Sequence, residues 1–204
     1  MESYLGNKTF QDLKMPVKVV ATDLFTSEEV VLDTGSVVDA VRASISIPGI
    51  FRPVFYQGRY LIDGGVIDPL PVRVLTSMGI KKIIAVNVLP GPKDRIERNR
   101  LREENRHQKK QILAQQNLWN RLVSQGLDKV YDRYAVNIFN VIMSTIQFME
   151  HEMAESSSAR ADVLIHPIVR EAHWAEFYSP DKFIKVGEEK TLEQLEEIKR
   201  LLAE

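Results

Sequence analysis

The strongest candidate for chemistry in the chain is a carboxylate followed by two glycines, Asp63-Gly64-Gly65. The apolar run from Tyr60 to Ile62 precedes it and is typical of a buried strand. Glycines behind a carboxylate let the backbone turn sharply and let another group approach closely, as an acid–base catalyst at a strand end requires. Asp-Gly is also a strong hairpin signal, so a simple turn is the alternative on these residues alone.

Three further motifs accompany this turn in a fixed order. Val19 to Leu24 reads VVATDL, Asp39 to Pro53 reads DAVRASISIPGIFRP, and Lys81 to Val88 reads KKIIAVNV. Together with Asp-Gly-Gly, this set resembles the C-terminal half of bacterial patatin-like phospholipases, clearly over residues 5–90 and weakly over 160–200. The alternation of strands and helices favours an α/β fold with a mainly parallel sheet. The resemblance implies a three-layer α/β/α sandwich of this kind, incomplete at the N-terminus of the chain.

The resemblance also implies a function and a set of site residues. Members of the family hydrolyse lipid esters with a Ser–Asp dyad and need neither a cofactor nor a metal. Asp63 inherits the role of the general base, and Gly64 and Gly65 inherit the role of shaping its turn. Such a dyad is a variant of the arrangement for acyl transfer in which a general base activates a nucleophile. Asp23 is a second carboxylate at a strand end, for which a role in fixing the turn before Thr26 is favoured.

The nucleophile of this dyad is missing from the 204 residues. A G-x-S-x-G elbow needs glycines four positions apart, and no two of the ten glycines have that spacing. Ser44 and Ser46 lie near Asp63 in sequence but lack the small neighbours of a strained strand-to-helix elbow. We interpret them as helix-end residues with local hydrogen bonds. The chain is therefore expected to be inactive alone, with an upstream polypeptide supplying the serine. The alternative function is non-catalytic binding or assembly on part of the fold.

Composition and charge exclude several other classes of protein. The chain is 44% hydrophobic and 27% charged, as ordinary globular domains are. Its net charge of −1 gives no general attraction to nucleic acid. The absence of cysteine excludes disulfides and thiolate metal sites. His151-Glu152 begins a zinc-protease motif, but Glu155 stands where the second histidine is needed. No apolar run is as long as a membrane-spanning helix, and residues 1–13 do not read as a signal peptide.

We expect the chain to divide into three segments. The resemblance implies that residues 1–92 are the C-terminal part of an acyl-hydrolase core. Residues 93–158 are expected to be a helical segment packed on the core or projecting from it, and residues 159–204 the last strand and closing helix of the same domain. Lys93 to Lys110 holds eight basic and four acidic residues. This pattern favours a solvated helix with ion pairs at turn spacing. The second interpretation of this segment is contact with lipid headgroups. We therefore expect a cytoplasmic protein, with peripheral contact with a membrane as the alternative.

Local signals predict individual elements. Ser36 is a candidate N-cap for a helix that ends at Ser44. Asp68-Pro69 predicts the start of the next helix, with Gly79 as its C-terminal cap. Ile83 to Val88 has the continuous apolar pattern of a central parallel strand covered on both faces.

The second half of the chain gives weaker signals. A helix from Ala135 to Glu155 carries an apolar stripe, for which core packing is favoured over a lid or acyl-binding surface. Asp181 to Leu202 predicts a closing helix that Gly187 breaks in two. A parallel sheet without its first strands exposes an apolar edge, so we expect self-association or poor solubility.

Overall fold

The fold is built from short strands and helices that alternate along the chain. A computed structural model describes residues 6–114, 138–169 and 180–203. Part of the predicted helical segment, residues 115–137, lies outside the described residues. The strands are β1 (Val19–Asp23), β2 (Glu29–Leu32), β3 (Val54–Tyr56), β4 (Arg59–Asp63), β5 (Ile84–Val86) and β6 (Val163–Ile165). The helices are α1 (Val37–Ser44), α2 (Val72–Ser77), α3 (Pro92–Ala114), α4 (Ile138–Ser158), α5 (Pro180–Glu193) and α6 (Leu195–Ala203).

Four of the strands form an antiparallel sheet in the order β2-β1-β4-β3. The β1–β2 hairpin turns at Asp23, whose Oδ1 accepts hydrogen bonds from the backbone N–H groups of Phe25 and Thr26 at 2.9 and 3.1 Å. The β3–β4 hairpin turns at Gln57-Gly58, which have φ angles of 50° and 80°. Positive φ at both central residues is the geometry that closes tight hairpins. The sequence analysis missed this hairpin, and it is one reason why the sheet is antiparallel.

Parallel pairing among the described residues is limited to β5 and β6. The protein is therefore α/β in content, but the mainly parallel three-layer sandwich is not confirmed. The outer face of β5 is also open, because Ile84, Val86 and Val88 are 40%, 50% and 65% exposed. The prediction that this strand is covered on both faces is wrong. Its inner face carries Ala85, which packs into a small apolar cluster with Leu70, Val72, Ile83 and Ala154.

The antiparallel sheet has a well-buried core of its own. Helix α1 lies against it, and Ser36 caps the helix by accepting a hydrogen bond from the backbone N–H of Asp39 at 3.3 Å. Both the N-cap and the end of this helix are as predicted. The core residues are Phe10, Ala21, Leu32, Val37, Ala40, Ala43, Val54 and Leu61.

Helix α2 lies within the predicted range of Pro71 to Met78, but Asp68-Pro69 does not start it. It starts at Val72, with Pro71 as its N-cap, rather than at Asp68-Pro69. Asp68 is buried, and its backbone N–H donates to the carbonyl of Gly64 at 2.9 Å, so this residue belongs to the turn after β4. Tertiary contacts of a buried side chain have overridden a local capping signal.

The later helices differ from their predictions in exposure and in boundaries. Helix α4 buries His151 and Ala154. In its apolar stripe, Phe139, Ile142 and Met149 are 42%, 51% and 59% exposed, and Met143, Ile146 and Met153 are partly buried. Because no described residue of the stripe is fully buried, the favoured interpretation of it as core is wrong. Gly187 lies inside α5, and the break between the closing helices falls at Gln194 instead. None of the described helices has the length and apolar character needed to cross a bilayer.

Candidate active site

Asp63 is the last residue of β4 and is fixed by its backbone on two sides. Its N–H donates to the carbonyl of Ser46 at 3.1 Å, and its carbonyl accepts a hydrogen bond from Thr22 Oγ1 at 2.9 Å. The side chain folds back over the following turn, where Oδ1 accepts the N–H of Gly65 at 2.8 Å. The carboxyl group is therefore held in one place by an ordered strand and an ordered turn.

The environment of Asp63 favours its protonated form. The carboxyl group is partly buried, and the loss of hydration raises its pKa, while the hydrogen bond from Gly65 acts in the opposite direction. The net result is a raised pKa. A general base needs a pKa closer to neutrality than an ordinary aspartate has, so the shift is in the useful direction.

The two glycines make a 3₁₀ turn, Gly64–Val66, rather than a hairpin. A Cβ on Gly64 would lie 2.7 Å from the carbonyl carbon of Val20, which belongs to the β1 backbone and has no room to move. A Cβ on Gly65 would lie 3.2 Å from Asp63 Oδ1. The hairpin interpretation is thus wrong, and both glycines allow a close approach to their neighbours.

A second carboxyl group, which the sequence analysis missed, reaches the same turn from helix α4. Glu150 Oε1 lies 3.4 Å from the position that a Cβ on Gly65 would take. Glu150 is half-buried, and its pKa is raised by burial first and by the charge of Asp63 second. The available signal was a charge on an apolar face, because Glu150 stands at helical spacing from Ile146 and Met153.

Arg95 fastens this part of α4 to the start of α3. Its Nη2 donates to the carbonyl of Gln147 at 3.0 Å and its Nε to the carbonyl of Pro90 at 3.1 Å. The guanidinium also lies 4.5 Å from the centre of the Phe148 ring. Burial lowers the pKa of Arg95, and the nearby charge of Glu150 partly opposes that effect.

Polar groups also collect where β5 and β6 end. Asn87 Nδ2 and His151 Nδ1 are buried without a hydrogen-bond partner among the described residues. Asp94 Oδ2 accepts the N–H of Gly91 at 3.1 Å and lies 3.9 Å from His166 Nε2. Within the ranges that the structure describes, no three acidic or histidine side chains are grouped so as to hold a metal ion.

The other residues that the sequence analysis considered, Asp23, Ser44 and Ser46, lie in turns and at a helix end. Asp23 is buried in its turn, where the N–H groups of Thr26 and Phe25 lower its pKa, so the predicted turn-fixing role is confirmed. Ser46 is buried, and its Oγ donates to the carbonyl of Arg42 at 2.8 Å. The prediction of a local hydrogen bond for Ser46 is confirmed. Ser44 is the last residue of α1.

Comparisons with known proteins agree with the motifs. Residues 1–76 match the family model of patatin-like phospholipases. An uncharacterised NTE family protein of Mycobacterium tuberculosis is 38% identical over 84 residues, which cover 41% of this chain and 23% of that protein. The patatin-like phospholipase domain-containing protein 7 of Mus musculus is 38% identical over 84 residues, 40% of this chain and 6% of its own length.

A third relative is named for an activity. The lysophospholipase NTE1 of Meyerozyma guilliermondii is 40% identical over 68 residues, which are 33% of this chain and 5% of that protein. The matched stretch thus spans under a quarter of the length of each of these relatives. The Asp63 turn lies within residues 1–76, the stretch that is similar to the patatin-like phospholipase family.

Proposed function

We propose that this protein is a lipid acyl hydrolase in which Asp63 is the general base of a Ser–Asp dyad. The observation that carries the proposal is the arrangement of Asp63, a fixed and partly buried carboxyl group with a raised pKa at the end of a strand. Gly64 and Gly65 shape the turn that holds it. In the reaction, Asp63 accepts the proton of the serine as its oxygen attacks the ester carbonyl, and then returns it to the leaving alcohol.

The serine comes, in this proposal, from polypeptide outside the 204 residues, whose sequence holds no G-x-S-x-G. The structure offers a place for further strands. An apolar groove of about 330 Å³ runs between the two sheets and is lined by Val20, Val72, Ile83 and Ala85, among others. Ile84 and Val86, from the open face of β5, also line it. Strands paired to the edge of β5 opposite β6 would complete the mainly parallel sheet, and the helices that connect them would cover that face.

The substrate surface that we propose is the exposed apolar stripe of α4, close to Asp63. Phe139 lies at one end of it, 3.2 Å from the Cβ position of Gly49 in the IPGIF segment. Glu150, at the other end, lies beside the Asp63 turn. An acyl chain lying along this stripe would place its ester near the carboxyl group. The same stripe would support peripheral contact of a cytoplasmic protein with a membrane.

The open face of β5 also favours a second candidate function. A non-catalytic binding or assembly protein would pack the exposed Ile84, Val86 and Val88 against another chain, including a second copy of this one. In that case no added polypeptide would bring hydrolysis.

The test is hydrolysis of p-nitrophenyl butyrate and of a lysophosphatidylcholine by the purified chain, alone and mixed with a polypeptide that carries a glycine-rich loop and G-x-S-x-G. We expect no turnover by the chain alone and turnover after mixing. Asp63→Asn is expected to reduce that turnover at least about a hundredfold, because the general base is lost.

The matched control is Asp39→Asn, which changes a half-exposed aspartate on α1 and leaves the turn after β4 untouched. It should retain the activity of the wild-type mixture. Turnover by the chain alone that disappears in Asp63→Asn would show that the chain supplies its own nucleophile. Absence of turnover in both conditions would favour the binding function.

A further inference from the structure

The turn after β4 brings together two carboxyl groups from distant parts of the sequence. Asp63 Oδ1 and Glu150 Oε1 lie 3.2 and 3.4 Å from one point, the position that a Cβ on Gly65 would occupy. The absence of a side chain at Gly65 is therefore what leaves room for both oxygens. Both groups are partly shielded from water, so the ionisation of one acts on the other, as the effect of Asp63 on the pKa of Glu150 indicates.

We propose that Glu150 is the positioning partner of Asp63, and that the two groups titrate as a coupled pair across the open face of Gly65. This inference rests on the proposed function, because it assigns Glu150 to the base of the dyad. When the pair holds one proton, one carboxyl group is ionised and ready to accept the proton of the serine. After that transfer both groups are neutral, and one proton is available for the leaving alkoxide.

The geometry around the pair suits this role. Arg95 holds α4 in place through the carbonyl of Gln147, three residues before Glu150. Because its Nε and Nη2 are directed to backbone carbonyls, the guanidinium orients the helix while lending its charge to Glu150 from a distance. The pKa of Glu150 is raised by burial first and by the charge of Asp63 second, which agrees with coupling between the two groups.

Other charged groups on the packed elements face different partners. On α4 itself, His151 lies against Gly91, and Glu152 is exposed. On the neighbouring elements, Asp94 binds the N–H of Gly91, His166 lies beside Asp94, and Arg73 pairs with Glu29 and Asp68. Among the described residues, the coupling to be measured is therefore the one between Asp63 and Glu150, with Arg95 as the nearby cation.

The experiment is a carboxyl-carbon NMR titration of the full 204-residue chain with labelled aspartate and glutamate. In the wild type, we expect the Asp63 and Glu150 signals each to report the ionisation of the other. Glu150→Gln should reduce the Asp63 curve to a single step. In the reciprocal variant, Asp63→Asn should lower the midpoint of Glu150 by about one pH unit, the size of a strong pairwise coupling.

The matched control is Glu152→Gln, two residues along the same helix and exposed, which should leave the Asp63 curve unchanged. If Glu150→Gln unfolds the chain, Asp63→Asn still tests the coupling, because the Asn side-chain oxygen can accept the hydrogen bond from the N–H of Gly65. Curves for Asp63 and Glu150 that do not respond to either substitution would overturn the proposal.

A second readout separates this inference from the proposed function. In an active mixture with the serine-bearing polypeptide, kcat/KM of the wild type should fall at acidic pH in two ionisation steps. With Glu150→Gln, this fall should reduce to one ionisation step. Coupled titration without hydrolysis by the wild-type mixture would support the pair and defeat the hydrolase. Hydrolysis whose acidic pH dependence is the same in Glu150→Gln, together with uncoupled titration curves, would support the hydrolase and overturn the coupled pair.

Discussion

Two pairs of carboxyl groups flank the same glycine turn, and they are neutralised differently. Asp63 and Glu150 lie on one side, with Arg95 directed mainly to backbone carbonyls. On the other side, Glu29 of β2 and Asp68 have pKa values that burial raises, and Arg73 lies within ion-pair distance of both, at 3.4 and 4.0 Å.

The difference indicates two kinds of role. A carboxylate pair with a cation in contact is a tie between elements, here between β2 and the segment that leads into α2. Burial raises the pKa of the carboxyl groups in both pairs, so proton affinity alone does not separate them. The placement of the arginine does. The hydrogen bonds of Arg95 go to backbone carbonyls, which leaves Asp63 and Glu150 for the acid–base role proposed above.

The largest expected effect comes from Gly64→Ala, which should disrupt both pairs at once. Its Cβ would press on the β1 backbone at Val20, and overpacking against backbone is expected to cost about 3 kcal/mol of unfolding free energy. Urea denaturation followed by circular dichroism measures this loss. Gly187→Ala is the matched control, because nothing lies within 4 Å of its Cβ position inside α5. That variant should be neutral or slightly more stable.

A smaller effect is expected from Arg73→Met, which would make the second pair resemble the first. Without the guanidinium, Glu29 and Asp68 repel each other when ionised, so we expect a loss of about 1–2 kcal/mol near neutral pH. The loss should shrink in acid, because protonated carboxyl groups do not repel. Arg42→Met, on the exposed side of α1, should change stability little at any pH. An equal loss at every pH would show that packing, rather than charge, is what Arg73 supplies.

The smallest expected effect is a gain in stability from Asp63→Asn. A carboxyl group whose pKa is raised by folding favours the folded state below its unfolded-state pKa, and that contribution is lost as pH rises through the folded-state pKa. The variant removes this loss while keeping an acceptor for Gly65. We expect it to be more stable than the wild type near neutral pH, by less than about 1 kcal/mol because water screens a partly exposed group. Thermal melts from pH 4 to 8 test this, and a constant difference across that range would contradict it.

The features that the sequence predicted correctly depend on neighbouring residues. Ser36 caps α1, Asp23 fixes the first hairpin, and Ser46 binds its own helix end, because each signal acts within three or four residues. The family motifs identify Asp63 and its glycines from a similarly local pattern, and the catalytic role of Asp63 stays a prediction.

The features that the sequence missed depend on contacts between distant segments. Asp68 has the local pattern of an N-cap, but burial and its contact with Glu29 take it out of the helix. Glu150 lies 87 positions after Asp63 in the sequence. It reaches the site only because α4 packs on the glycine turn, and no short motif describes that packing. The exposure of β5 likewise depends on what covers it rather than on its own apolar pattern.

The contact between Gly64 and the β1 backbone has a consequence for variant libraries. If Asp63 is the base of the proposed dyad, the requirement at position 63 is chemical, so substitutions such as Asn should preserve protein abundance while removing the activity of the mixture. At position 64 the requirement is steric, so any larger residue should reduce abundance itself. A scan that scores abundance and activity separately would therefore distinguish these adjacent positions, and only the first would report on the reaction.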